Sequence, residues 1–278
     1  MSTFFKKNDF RTDYKKRPND SYKAVLEKLD EETKRKIDRQ RTIGMIVIVV
    51  FVFLFIVILA VSGIGVDKTK SVSGNIFADK ESVLIECFGD SITAGFNPDE
   101  ESGEAQTSYP QELSEKITEL FDNDGNSYKC KSVTVKNYGM NGSVLKEDSC
   151  SRLSGEADIV IILYPVNNFL YNEEYVGTLE ANIETIVQQG SQVFVLNYPV
   201  HEDSEEIDAA VQANNYISST VKSLNLQFID LCTYFENIDE YSQSELFSSD
   251  LVHLSNLGYK LLGDYVAEQI HEYYYNNY

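Results

Sequence analysis

The chain has 278 residues, with 24 Lys+Arg against 44 Asp+Glu and a formal net charge of −20. Residues 1–42 hold 13 basic and 8 acidic side chains, so the remainder carries 11 basic and 36 acidic groups, a net of −25. A region so acidic repels phosphate backbones and argues against nucleic acid as a partner, while a composition 42% apolar and 12% aromatic excludes global disorder.

The tail 1–42 mixes both signs of charge. Residues 21–41 suit a solvated helix, with Tyr22, Val25, Leu26 and Leu29 on a short apolar stripe. The run 43–61, IGMIVIVVFVFLFIVILAV, contains no charge. At ~1.5 Å per residue it spans roughly 29 Å, close to the ~30 Å of a bilayer core. A buried core helix is rarely apolar on all sides for so many turns. Ala60-Val61-Ser62 resembles a small-residue cleavage site. Even so, a leader of 42 residues and so long an apolar core exceed a cleaved signal peptide. The run reads as an uncleaved signal anchor. Lys34, Arg35, Lys36, Arg39 and Arg41 precede it, so the positive-inside rule puts the N-terminus in the cytoplasm and the larger part outside the cell membrane. The expected organisation is a basic tail 1–42, a transmembrane anchor 43–63, a stem 64–81 and one domain over 82–278.

In that domain, five short apolar runs (83–88, 133–138, 159–164, 193–198 and 227–231) alternate with longer amphipathic stretches. The run Ile159-Val-Ile-Ile-Leu-Tyr164 is continuously apolar, as a parallel strand buried on both faces requires. Helical spacing marks Leu113, Ile117, Leu120 and Phe121, then Val176, Leu179, Ile183, Ile186 and Val187. It marks Ile207, Val211, Ile217 and Val221, and finally Leu254, Leu257, Leu261, Tyr265 and Ile270. Strand and helix in alternation predict a three-layer α/β/α domain with a parallel sheet. Ligands of such folds bind beyond the carboxyl ends of the strands. The acidic segment 97–104 reads as a solvated loop, or as a rim that disfavours anionic substrates.

The residues that follow the strands carry the chemistry. Gly89-Asp90-Ser91-Ile92-Thr93 follows the first run, Asn137-Tyr138-Gly139-Met140-Asn141-Gly142 the second, and Pro165-Val166-Asn167-Asn168 the third. Ser249-Asp250-Leu251-Val252-His253 lies near the C-terminus. Each alone passes for turn or cap chemistry. Together and in this order, over about residues 83–273, they resemble the SGNH/GDSL hydrolase family of serine esterases and lipases. The resemblance implies a flavodoxin-like fold with five parallel strands. It implies Ser91 as nucleophile, His253 as general base and Asp250 as its orienting carboxylate. The implied oxyanion hole comprises the backbone N–H groups of Ser91 and Gly142 and the side-chain amide of Asn167. These assignments make chemical sense. A serine hydroxyl needs a base, histidine titrates in the right range, and a carboxylate fixes its tautomer.

The third motif departs from the family's Gly-x-Asn-Asp, with Pro165 for glycine and Asn168 for aspartate. A further oddity is Glu86, a carboxylate in mid-strand that needs a partner. His201 follows the fourth run and reads as a surface loop histidine, with the rim of the site as the alternative, and His271 reads as solvent-facing. Cys130 and Cys150 flank the second strand, and outside the cytoplasm a disulfide between them is open to them. No His/Cys cluster suits a metal, and no cofactor is implied. The expected activity is hydrolysis of acyl esters, acetyl among them, with a glycan as the candidate alcohol. O-acyl transfer by the same chemistry and a non-catalytic glycan-binding surface protein are the alternatives.

Overall fold

The structure, a computed structural model, describes residues 74–123 and 129–277. The expected tail 1–42, the expected anchor 43–63 and residues 64–73 of the expected stem lie outside the described residues. Among the described residues no helix is long and apolar enough to cross a membrane.

The chain enters with a one-turn helix, α1 (Ile76–Asp79), capped by the Asn75 side chain, which accepts from the N–H groups of Phe77 and Ala78. Phe77 is fully buried and stacks on Phe121 with ring centroids 3.8 Å apart. The final residues of the expected stem therefore belong to the domain's packing. Strand β1 (Ser82–Gly89) follows, then a short α2 (Ser91–Ala94) and α3 (Tyr109–Asn123). Next come β2 (Ser132–Gly139), a 3-10 turn (Ser149–Arg152), β3 (Ile159–Leu163), α4 (Val166–Leu170) and α5 (Thr178–Gln188). The last third comprises β4 (Gln192–Leu196), α6 (Ile207–Leu224), β5 (Gln227–Ile229), α7 (Leu231–Glu236), α8 (Gln243–Leu246) and α9 (Asn256–Asn277).

The five strands form one parallel sheet in the order β2-β1-β3-β4-β5. The chain moves one way from β1 to β2 and the other way from β3 through β5. Right-handed crossovers then put α3 on one face and α5 and α6 on the other. Helix α9 returns to pack along α3. The result is the expected three-layer α/β/α domain. All five residues of β3 are buried, as its unbroken apolar run demands. The edge strand β2 exposes alternate residues instead.

Register levels the active edge of the sheet. Gly89 pairs with Gly139 on one side and with Leu163 on the other. The segments that leave β1, β2 and β3 thus emerge side by side, at the point where the strand order reverses. That switch point is where open α/β sheets bind ligands.

One option left open by the sequence is closed, and one expectation is corrected. Cys150 is a free, buried thiol, so no Cys130–Cys150 bridge forms. The backbone N–H of Cys130 bonds to Phe77 on the α3/α9 side, whereas that of Cys150 bonds to Asn182 of α5 on the opposite face. His271 is no simple surface residue: it packs edge-on against Phe121, centroids 4.9 Å apart. Glu86 is fully buried and accepts the Ser154 N–H at 3.1 Å, while its Oε1 has no hydrogen-bond partner among the described residues.

Candidate active site

Ser91 opens α2 directly after β1. Asp90 before it is the helix cap: its carboxylate accepts the Ile92 N–H at 3.1 Å. The Asp90 side chain is completely buried, and burial pushes its carboxyl up to about 6, against the opposing pull of hydrogen bonds from Tyr198 and Ile92 and of the His253 ring. The Tyr198 hydroxyl, after β4, donates to Asp90 Oδ2 at 2.6 Å and accepts the Val166 N–H at 3.2 Å. One buried phenol therefore ties the turn that bears Ser91 to the turn that bears Asn167.

His253 Nε2 lies 2.9 Å from Ser91 Oγ, and His253 Nδ1 lies 2.7 Å from Asp250 Oδ2. The loop before α9 builds this line. Asp250 Oδ1 accepts the N–H groups of Val252 and His253 at 3.0 and 2.9 Å, and Leu251 adopts a left-handed φ of 57° to allow it. The Ser248 N–H and hydroxyl both donate to the His253 carbonyl, closing the loop. Desolvation alone would raise the Asp250 carboxyl. The hydrogen bonds from the His253 ring, the His253 N–H and the Val252 N–H outweigh it and hold Asp250 below the ordinary value. The Phe96 ring stands edge-on to the imidazole, centroids 4.8 Å apart.

The segment 97–104 is more than a solvated loop. Asp99 accepts the Ser249 N–H at 2.8 Å and also the Ser249 hydroxyl, and Glu100 accepts from Asn256 at the start of α9. Two carboxylates thus clamp the His253 loop from outside.

The third side of the site comes from the β2 and β3 turns. Gly139 has no room for a side chain, since a Cβ there would sit 2.0 Å from the Ala94 nitrogen. This lets β2 end hard against α2. Gly142 takes a φ of +65°, which glycine adopts at little cost, and faces open space. Asn167, 6% exposed, donates one amide hydrogen to the Ser143 carbonyl at 3.0 Å and keeps its second. Asn168 replaces a charge with a neutral clamp. Its Oδ1 accepts the Leu145 N–H at 2.8 Å, and its Nδ2 donates to the carbonyls of Leu145 and Glu174 at 2.8 and 2.6 Å. The departure from the family's aspartate therefore still braces the loop. Arg152 supports it from below, donating to Tyr164 Oη at 2.6 Å and to the Gly89 carbonyl at 3.0 Å, while Tyr164 Oη lies 2.5 Å from Ser143 Oγ.

All five residues expected at the site thus converge. Ser91, Gly142, Asn167 and His253 line one cavity of about 230 Å³, and Asp250 stands behind His253. Ile92, Phe96, Val166, Leu170 and Ile207 give it apolar walls. His201, for which the rim was the alternative reading, belongs to its wall as well.

The family model described as "GDSL-like Lipase/Acylhydrolase family" matches residues 87–261, well over half the chain. The chain belongs to that family. It is a serine hydrolase that acts on ester bonds, with the α/β fold and five-stranded parallel sheet of the SGNH hydrolases. This GDSL hydrolase is similar to a lipase/acylhydrolase from Enterococcus faecalis at 26% identity and a TM-score of 0.51, over 69% of this chain and 96% of the other. An acetyl xylan esterase from Geobacillus stearothermophilus, 18% identical, shares the fold with a TM-score of 0.51 over 71% of this chain and 97% of its own. No curated protein matched the sequence.

Proposed function

We propose that this GDSL hydrolase is a membrane-anchored esterase that removes short acyl groups, acetyl first among them, from an extracytoplasmic glycan. The observation that carries the chemical part is the unbroken line from Ser91 Oγ through His253 to Asp250, with steps of 2.9 and 2.7 Å at the edge of the cavity. In this reading His253 Nε2 takes the Ser91 proton as Oγ attacks the ester carbonyl. Asp250, ionised and held by the N–H groups of Val252 and His253 and by the His253 ring, fixes the Nδ1–H tautomer and stabilises the imidazolium. The developing oxyanion is met by the N–H groups of Ser91 and Gly142 and the spare amide hydrogen of Asn167, each donor contributing about 3–4 kcal/mol in comparable sites. His253 then protonates the leaving alcohol. Water attacks the acyl-enzyme by the reverse proton path.

A cavity of about 230 Å³ lies below the usual ~300–1,000 Å³ of small-molecule sites and suits a short acyl group better than a long chain. The acetyl xylan esterase that shares the fold makes an acetylated glycan a reasonable substrate. The anchor and its orientation rest on the apolar run 43–61 and its basic flank. A panel of esters from acetyl to dodecanoyl tests the reading. Turnover should be greatest for acetyl and propionyl and absent in Ser91→Ala. A preference for long chains would refute the acyl assignment. Protease treatment of intact cells should digest the domain and spare the N-terminal tail; the reverse pattern would refute the topology.

A further inference from the structure

The chemistry at Ser91 leaves one charged group in the cavity without a task. Glu206 lines the same cavity as Ser91 and His253. It is the half-buried cap residue of α6, and its carboxylate makes no capping hydrogen bond and accepts no other hydrogen bond among the described residues. Burial raises its carboxyl above the ordinary range, with His253 pulling it down and Asp250 pushing it up. No lysine or arginine stands in the cavity wall to neutralise it. The connection from β4 adds the exposed Glu202, Asp203 and Glu205, and the segment after Phe96 adds Asp99, Glu100, Glu101 and Glu104. The field at the entrance is therefore negative, and Glu206 is its innermost point.

A half-buried carboxylate without a protein donor draws one from whatever enters the cavity. We infer that Glu206 is a specificity-determining residue: its carboxylate accepts a hydrogen bond from a donor on the substrate, a sugar hydroxyl or an ammonium, and rejects esters that carry a carboxylate near the reacting bond. The inference rests on the Ser91 reading above and narrows the substrate to neutral or cationic esters. For like charges ~6 Å apart at an effective dielectric of ~20, Coulomb's law gives a discrimination of roughly a hundredfold. Solvent screening at a half-exposed group reduces it to about tenfold.

The test uses the full chain and three phenyl acetates of similar size, bearing a para carboxylate, carboxamide or trimethylammonium group. An acetylated methyl glucoside and its matching glucuronide form a second set. Wild type should favour neutral over anionic partners by about tenfold in kcat/KM, and Glu206→Gln should reduce that preference to about twofold. Glu202→Gln, exposed outside the cavity, should leave it near the wild-type value. The readout is a ratio within each variant, so a general loss of activity cancels. In Glu206→Ala, a drop confined to the glucoside or to the ammonium ester supports the inference and names the donor. A preference undiminished in Glu206→Gln, or lost equally in Glu202→Gln, overturns the inference and leaves Ser91 in place. Failure of wild type to cleave any of these esters would overturn the Ser91 reading and this inference with it.

Discussion

Tyr198→Phe removes one oxygen from the interior, and its effect should depend on pH. That oxygen donates to Asp90 Oδ2 at 2.6 Å and accepts the Val166 N–H at 3.2 Å, with Tyr198 only 2% exposed. Asp90 has its carboxyl raised by burial from 3.8 to about 6. The folded state therefore holds an extra proton between these values. Keeping Asp90 ionised costs about 3 kcal/mol above pH 6, and that cost disappears as pH falls toward 4. The phenol offsets part of it. Its removal raises the Asp90 carboxyl further, so the added penalty exists only where Asp90 is charged. A hydrogen bond to a buried charge contributes about 1.5–3 kcal/mol and a neutral one about 1 kcal/mol. The expected destabilisation is therefore about 3 kcal/mol at pH 8 and about 1 kcal/mol at pH 5. Urea unfolding of the full chain in mild detergent measures this through tyrosine emission, since there are 18 Tyr and no Trp. Because the same hydroxyl links the Ser91 and Asn167 turns, kcat should also fall about tenfold, with KM little changed. Equal destabilisation at the two pH values, or an unchanged kcat, would refute the role of this link.

Two further substitutions probe the site's supports. Asn168→Asp restores the family residue, yet it should destabilise this chain by about 2–4 kcal/mol at pH 8. The Nδ2 it loses donates to two carbonyls, which would then face a carboxylate. The loss should shrink on acidification as the new carboxyl protonates; a stability equal to wild type at pH 8 would refute the clamp. Asp250→Asn keeps the shape but reverses the hydrogen-bonding demand on His253 Nδ1, so kcat should fall by about 10³–10⁴ with KM little changed. A fall of less than tenfold would refute the orienting role.

What the sequence revealed depended on how local the signal was. The unbroken run in β3 marked that strand to within a residue. β5 ends at Ile229, earlier than expected, because Asp230 turns its carboxylate back to cap α7 through the Thr233 N–H. The helical stripe from Val176 started too soon: Gly177 is the cap of α5, and Val176 is 72% exposed. Asp250 and His253 were legible because they lie three positions apart on one loop, and Ser91 because it sits inside a contiguous motif. Tyr198 and Glu206 were not. The first matters through a bond to a residue 108 positions away, and the second only because α6 begins at the mouth of a cavity built from other segments. The Cys130–Cys150 pairing stayed open in the sequence for a related reason. Proximity to the two ends of β2 says nothing about which face of the sheet each cysteine reaches.

The central claim is that Ser91 is the nucleophile. Reaction of the full chain with a fluorophosphonate, followed by peptide mapping, tests it most directly. One adduct on Ser91 is expected in wild type, none in Ser91→Ala, and a greatly slowed adduct in His253→Ala. An adduct on another residue, or labelling of Ser91→Ala equal to wild type, would contradict the account.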